Sequence, residues 1–253
     1  MGSNLGIVIQ ARMGSTRYPG KMLTELEPGS SLLELIIKKI KRVAGNLPII
    51  LATSIHDKDD PLIEIAESYQ ISVFRGSEED VLDRFVNAME QLELTHAIRV
   101  CGDNPYLDSE FLQQLIKVGS KSNDDYVSFR INRNLPVIKS HFGFFSEFVA
   151  LNALKKVQLL TEQKLYHEHV TNFLYEHPDQ FSIHWLEVPE FIDANTNIRL
   201  TFDTPEDLDH IHMVSKIARK SIMDITAKEI CEIVNNSREL KDRMKFEIEK
   251  NHK

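Results

Sequence analysis

A chain of 253 residues, with 42% hydrophobic and 27% charged residues, can form one large α/β domain or two small ones. Its formal net charge of -8 argues against general nucleic-acid binding, and no apolar run approaches the ~20 residues of a membrane-spanning helix. Cys101 and Cys231 are too far apart in sequence to suggest a disulfide framework, and the start of the chain has no basic-then-apolar signal region, so a cytoplasmic protein is expected.

Residues 5–9 form an apolar run that reads as a buried strand, and residues 31–44 read as an amphipathic helix. About 20 residues with little structure of their own lie between them, and loops of that length are usually functional or disordered. This one opens with Gln10-Ala11-Arg12-Met13-Gly14-Ser15-Thr16-Arg17-Tyr18-Pro19-Gly20-Lys21, and no acid occurs before Glu25. Such a cationic loop suits a polyphosphate. Gly14 and Gly20 let backbone N–H groups turn toward an anion, and guanidinium forks grip phosphate oxygens in pairs. Walker A does not fit, because Gly14 and Gly20 enclose five residues and Met22 follows Lys21; there is no G-x-G-x-x-G. The residues alone also allow a solvated surface loop.

Residues 48–53 read as a second buried strand, followed by a polar loop with Asp57, Asp59 and Asp60. Pro61 suits the first turn of a helix reaching about Tyr69. Residues 71–74 are a short third strand. Ser77 is the expected N-cap of a helix running to about Leu92, with Asp80 three residues on. Residues 96–100 are a fourth strand, ending in Cys101-Gly102-Asp103-Asn104-Pro105. Asp108 can cap a helix with Phe111, Leu112, Leu115 and Ile116 on one face. Residues 125–129 read as a strand. The alternation predicts a largely parallel sheet covered on both faces, with ligands at the carboxyl ends of its strands.

The middle is less regular. Residues 135–145 read as a strand leaving the main sheet, 145–157 and 166–176 as helices, and 181–188 as a strand. Residues 197–202 are expected to form a last strand with Asp203 at its end. Thr204 then caps a helix to about Ala218, with Pro205 in its first turn and Asp207 three residues after the cap. Residues 224–235 read as a short helix, and the charged tail beyond Ser237 as an exposed or frayed one.

Two aspartates at strand ends, Asp103 and Asp203, can share one hard cation, since Mg²⁺ prefers one or two carboxylates with substrate phosphates and water. Each can instead act on a nearby turn or cap. Arg75 can bind a base carbonyl or a substrate carboxylate, or pair with an acid such as Asp80. His167, His169 and His177 form no zinc-protease motif, since Thr171 stands where the second imidazole would be needed.

The Gln10–Lys21 stretch resembles the fingerprint of the cytidylyltransferases that make CMP-activated acidic sugars, above all the spore coat polysaccharide biosynthesis protein F type. CMP-3-deoxy-manno-octulosonate and CMP-neuraminate synthetases are more distant relatives. Tyr18 departs from the pattern, where Leu is usual. The resemblance continues through Ala52-Thr53-Ser54, Phe74-Arg75-Gly76-Ser77, Gly102-Asp103-Asn104-Pro105 and Thr201-Phe202-Asp203-Thr204-Pro205-Glu206-Asp207, covering about the first 210 residues.

The resemblance implies a Rossmann-like three-layer α/β sandwich of the nucleotide-diphospho-sugar transferase type, with a mixed, mostly parallel sheet. Residues 1–220 would be the nucleotidyltransferase domain, with about 135–190 for the sugar pocket and dimerisation, and 221–253 a helical tail. CTP and a sugar would be the substrates, a homodimer the assembly and Mg²⁺ the cofactor, held by Asp103 and Asp203. Arg12, Arg17 and Lys21 would hold the triphosphate, with Lys21, Arg12, Asp103 and Asp203 catalytic. Gln10, Ala11, Gly14, Ser15, Ala52, Ser54, Arg75, Ser77 and Gly102 would complete the nucleotide site, and Ala11, Ala52 and Ser54 would flank the base. A different NTP, a non-sugar acceptor, or a silent nucleotide-binding protein are the other readings.

Overall fold

The computed structural model describes residues 4–251. Met1, Gly2 and Ser3, where the absent signal region was read, lie outside the described residues, as do His252 and Lys253 of the expected tail.

The first half follows the expected alternation. Strand β1 (Leu5–Gln10) leads into the basic loop and a small hairpin, β2 (Glu25–Glu27) and β3 (Ser30–Ser31). Next come α1 (Leu32–Val43), β4 (Ile49–Ser54), α2 (Asp60–Ser68), β5 (Ser72–Gly76), α3 (Val81–Gln91), β6 (His96–Cys101) and α4 (Ser109–Gly119). The helix starts follow from local chemistry. Ser31 and Glu34 form a reciprocal capping box on α1, and Asp108 accepts from the Glu110 and Phe111 amides at the start of α4. Helix α3 is capped by Asp80, whose carboxylate accepts from the Asp83 amide, and not by Ser77. The Ser77 hydroxyl accepts from the Asp80 amide and shapes the turn before the cap.

The second half contains β7 (Tyr126–Ile131), β8 (Leu135–Pro136), β9 (Glu147–Ala150), α5 (Leu151–Leu160), α6 (Lys164–Glu168), α7 (Asn172–Glu176), β10 (Ile183–Glu187), α8 (Glu190–Asp193), α9 (Pro205–Ala218), α10 (Ala227–Asn236) and α11 (Arg238–Lys250). Several expectations are corrected here. Of residues 135–145 only the first two pair as a strand. The expected helix 145–157 is a strand followed by a helix, because 147–150 fills a slot between β6 and β7. The expected helix 166–176 is two short helices.

Residues 197–202 form no strand. They leave a turn at Asn197 and run irregularly, with Leu200 and Thr201 donating to the His141 carbonyl at 2.8 and 3.2 Å and Phe202 donating to the Asp103 carbonyl at 2.8 Å. These bonds reach loops, not a neighbouring strand, so no ladder forms.

The main sheet runs β10-β7-β9-β6-β1-β4-β5, with β8 paired to one end of β7. β1 is parallel to both β4 and β6, β4 to β5, and β10 to β7, while β9 is antiparallel to both its neighbours. Side chains alternate between two cores. Ile7 and Ile9 face the layer holding α1 and α4, and Val8 faces the layer of α3 and α5. The sheet is thus covered on both faces, a three-layer α/β fold. The order in which strands are added switches sides at β1, with β4 and β5 on one side of it and β6 on the other, and the carboxyl ends of β1, β4 and β6 meet there.

The C-terminal helices belong to the same packing. Ile222, Ile230, Val234, Leu240 and Met244 join the core of β1 and α1, so α11 is a docked amphipathic helix and not a frayed tail. None of the described helices is long and apolar enough to cross a membrane.

Candidate active site

The basic loop starts where β1 ends, and hydrogen bonds from several directions hold it there. Gln10 accepts from the Gly102 amide at 2.9 Å, and the Ala11 amide donates to Ala52 at 3.4 Å. A Cβ on Gly102 would lie 2.9 Å from the Ala11 Cβ and 3.0 Å from the Gln10 carbonyl, so only glycine lets the two loops close on each other. Gly20 has φ +78°, a left-handed turn that starts the single 3-10 turn carrying Lys21. The Ser15 hydroxyl accepts from the Tyr18 amide.

Lys21 reaches across to the segment before α9. Its Nζ donates to the Phe202 carbonyl at 2.7 Å and to Asp203 Oδ1 at 2.9 Å, and Arg17 Nη2 meets the same oxygen at 3.1 Å. Two cations of the loop therefore converge on one aspartate. Tyr18, the departure from the family pattern, packs edge-on to Phe202 with centroids 5.0 Å apart. Asp103 is drawn in by the Phe202–Asp103 backbone bond, which sets the stretch after β6 against the stretch carrying Asp203. Asp103 lines a cavity of about 50 Å³ together with Asn104, Ser140, Glu147 and Thr201. Neither aspartate acts as a cap: α9 is closed by Thr204 and Asp207, and Leu107 closes the turn after Asp103 by donating to Asn104.

Arg12 points elsewhere. It donates to the Glu78 carbonyl at 2.7 Å and lies 3.6 Å from the Glu78 carboxylate. Arg84, a buried guanidinium, donates to the Ser77 carbonyl at 2.5 Å and reaches the Glu78 carbonyl at 3.5 Å. Burial, with Arg12 nearby, pulls Arg84 down to about 10. Arg75 pairs with Asp60 at 2.9 Å, not with Asp80, and donates to the carbonyls of Ser54 and His56. The Ala52 side chain is buried against α3, which leaves only its backbone to offer a ligand. The Ser54 hydroxyl, also buried, accepts from the His56 amide.

Three supports escaped the sequence reading, in which Asp207 figured only beside the Thr204 cap and in the family motif. Asp59 is buried and accepts from the Met13 amide at 2.7 Å, the Thr53 hydroxyl at 2.8 Å and the Ser54 amide at 2.9 Å, tying the basic loop to the end of β4. Burial raises its pKa, but these hydrogen bonds outweigh that and hold it below the ordinary carboxylate value. Arg99 donates to Gln10 Oε1 at 3.0 Å and pairs with buried Glu147. Since arginine only donates, Gln10 turns its amide N–H₂ away from Arg99. Arg199 and Asp207 hold the backbone of Asp203. The only sequence signal for these was three acids after the second strand and charged residues inside apolar runs.

A site of this kind gathers fixed cations and carboxylates at the carboxyl ends of parallel strands. The family model for cytidylyltransferases matches residues 6–237. This chain belongs to the cytidylyltransferase family. Spore coat polysaccharide biosynthesis protein SpsF of Bacillus subtilis is 35% identical over 238 residues, 91% of this chain and 93% of that protein. The 3-deoxy-manno-octulosonate cytidylyltransferase of Escherichia coli is 31% identical over 114 residues, 44% of each chain. The structure of a cytidylyltransferase from Leptospira borgpetersenii serovar Hardjo-bovis superposes with a TM-score of 0.81 at 25% identity, covering 94% of this chain and 96% of that one. As a cytidylyltransferase, the chain carries its cationic loop and Asp103 at the ends of adjacent parallel strands, β1 and β6.

Proposed function

We propose that this cytidylyltransferase transfers CMP from CTP to an acidic sugar, releasing pyrophosphate, in the biosynthesis of a surface polysaccharide. The observation that carries the reading is the meeting of Arg17 and Lys21 on Asp203, whose neighbour Phe202 bonds to the Asp103 backbone. The match to a spore coat polysaccharide protein and to an enzyme named for a sugar acid supports the acceptor class.

In this reading a sugar hydroxyl oxygen attacks the α-phosphorus, the new P–O bond forms as the α–β phosphoanhydride breaks, and pyrophosphate leaves. Such chemistry depends on positioning and charge stabilisation. Arg17 and Lys21 neutralise the triphosphate, competing away from Asp203 to do so. Gln10 offers amide donors, and Arg12 stands at the far wall on Glu78. Asp103 and Asp203 are hard oxygen donors of the kind Mg²⁺ takes alongside phosphate oxygens, so they fit as its holders. When bound, Mg²⁺ would polarise the phosphoryl group and favour the ionised hydroxyl.

The chain is further proposed to act in the cytoplasm as a homodimer. Phe142, Phe144, Phe145 and Phe148, in the 135–190 region where dimerisation was expected, are all core residues, so they supply no interface. Leu159, Leu160 and Leu165 at the outer end of α5 and on α6 are exposed and are the better candidates. Light scattering at micromolar concentration that gave the monomer mass of 29.1 kDa would refute the dimer.

The direct test is pyrophosphate release from each of the four NTPs with sugar acids and with neutral sugars, Mg²⁺ present or chelated. CTP with a sugar acid is expected to give turnover, and CTP to raise Tm most. A larger response to ATP, GTP or UTP overturns the cytidine assignment, and turnover with neutral sugars alone overturns the acidic acceptor.

A further inference from the structure

A second cleft, of about 290 Å³, lies at the edge of the sheet where β7, β8 and β10 meet, and the nucleotide site does not use it. Arg130, Arg133 and Lys139 line it with Tyr175, Glu176 and Trp185. Three cations against one lining acid is a local excess of positive charge in a chain of net charge -8. Arg130 lies opposite Glu187 across the β7–β10 ladder, and Glu187 takes its Nε at 2.6 Å. Lys139 Nζ sits 3.0 Å from Glu176 Oε1 and 5.1 Å from the centre of the Tyr175 ring.

Arg133 is the most informative member. It makes no hydrogen bond or ion pair among the described residues. It occupies the tight turn between β7 and β8, where Asn132 has φ +50° and Arg133 φ +62°, and the Asn134 amide closes the turn onto Ile131. Two successive left-handed residues make the hairpin turn that normally takes Asn followed by Gly. An arginine at the glycine position works against the backbone, by about 1–2 kcal/mol for a non-glycine residue in that region. No hydrogen bond or ion pair within the fold offsets that cost, and the exposed guanidinium lines the cleft.

We propose that this cleft is a second binding site, separate from the nucleotide site, for an anionic sugar: a pyranose bearing a carboxylate or a phosphate. Guanidinium and ammonium groups recognise the anion. Trp185 and Tyr175 in the lining give the apolar side of a sugar ring an aromatic surface to pack on. The stretch from the end of β8 to Ser140 is shared by both sites: Val137, Ile138 and Ser140 line the Asp103 cavity, while Pro136 and Lys139 line this cleft. A sugar in the outer cleft therefore rests on the wall of the inner one.

Trp185 is the only tryptophan in the chain, so its emission reports on the cleft directly. Purified full-length protein is titrated with glucuronate, glucose 6-phosphate and glucose to about 10 mM, a range suited to millimolar sites. Fluorescence and calorimetry are read in parallel, without nucleotide. A saturable response to glucuronate or glucose 6-phosphate, absent with glucose, is expected, and the two anions separate a carboxylate site from a phosphate site. Arg133→Gly should weaken binding about tenfold while Tm stays level or rises, because glycine relieves the turn. Lys139→Ala should weaken it likewise. No response to either anion by both methods, an equal response to glucose, or full affinity in Arg133→Gly would overturn the proposal. None of these outcomes bears on CTP turnover, so this site and the proposed reaction fail or stand separately.

Discussion

Arg199 grips Asp207 through a two-point fork, Nε to Oδ1 at 2.6 Å and Nη2 to Oδ2 at 2.9 Å, with both side chains fully buried. Asp207 Oδ2 also accepts from the Asp203 and Thr204 amides at 2.9 Å, and Arg199 Nη1 meets His141 Nδ1 at 2.7 Å. The backbone of the aspartate that receives Lys21 thus hangs from a buried ion pair. Asp207→Asn leaves the guanidinium buried without its counter-charge. Breaking such a pair costs about 3–5 kcal/mol, or roughly 6–20 °C in Tm for a chain of this size. Calorimetry checks this, and a loss under about 1 kcal/mol would show that the pair is not a support.

Lys21→Ala should lower turnover by about 10²–10³ while the protein stays folded, since Lys21 is a point charge in the loop, outside the hydrophobic core, and Arg17 still pairs with Asp203. Steady-state rates at saturating nucleotide, alongside a melting curve, decide the matter. A fall of less than about threefold would remove Lys21 from the triphosphate clamp.

Asp103→Asn and Asp203→Asn should each lose metal-dependent turnover, and the double variant should be little worse than either single one, as for groups acting as a unit. Asp203→Asn should also weaken the hold on Arg17 and Lys21, so its nucleotide KM should shift more than that of Asp103→Asn. Additive losses in the double variant would contradict a shared cation.

His167 packs α6 against the start of α3. Its Nδ1 lies 2.8 Å from Asp80 Oδ2 and its Nε2 3.0 Å from the Thr161 carbonyl. Burial lowers its pKa, but the Thr161 and Asp80 contacts, with Asp83 nearby, outweigh that and raise it, because two acceptors favour two protons. A folded pKa above the unfolded one gives stability that is full below about pH 6.5 and is lost as pH rises through the folded value. The Tm gap between the wild type and His167→Ala should therefore be widest near pH 6 and narrow toward about pH 8.5. A gap that widened with pH would reverse the assignment.

What the sequence determined by itself is local. The apolar runs that became β1, β4, β5 and β6, Thr204 with Asp207, and Asp108 ahead of its helix are short-range signals, and each formed where expected. The acid-free stretch after the first strand placed the basic loop, and the ordered motifs named the family. Residues 145–157 misled because no turn residue separates β9 from α5, and the choice between strand and helix rests on an open slot between β6 and β7. Residues 197–202 looked like a strand by composition, but a strand needs a partner ladder, and only loops lie beside them. Ser77 lost the cap of α3 to Asp80 by where the helix turns in.

Only the tertiary structure could decide how the charges pair. Lys21 with Asp203, Arg99 with Glu147 and Arg199 with His141 join residues far apart in the chain, and no periodicity encodes which buried cation meets which acid. A charged residue in an apolar run reads as an exposed position until its partner is seen, since burial of a charge is tolerable only with that partner in place. The loop was legible because its charges lie close in sequence. The site was not, because the aspartates that complete it arrive from chain segments about 80 and 180 residues further on, brought there by the sheet and by the irregular segment before α9.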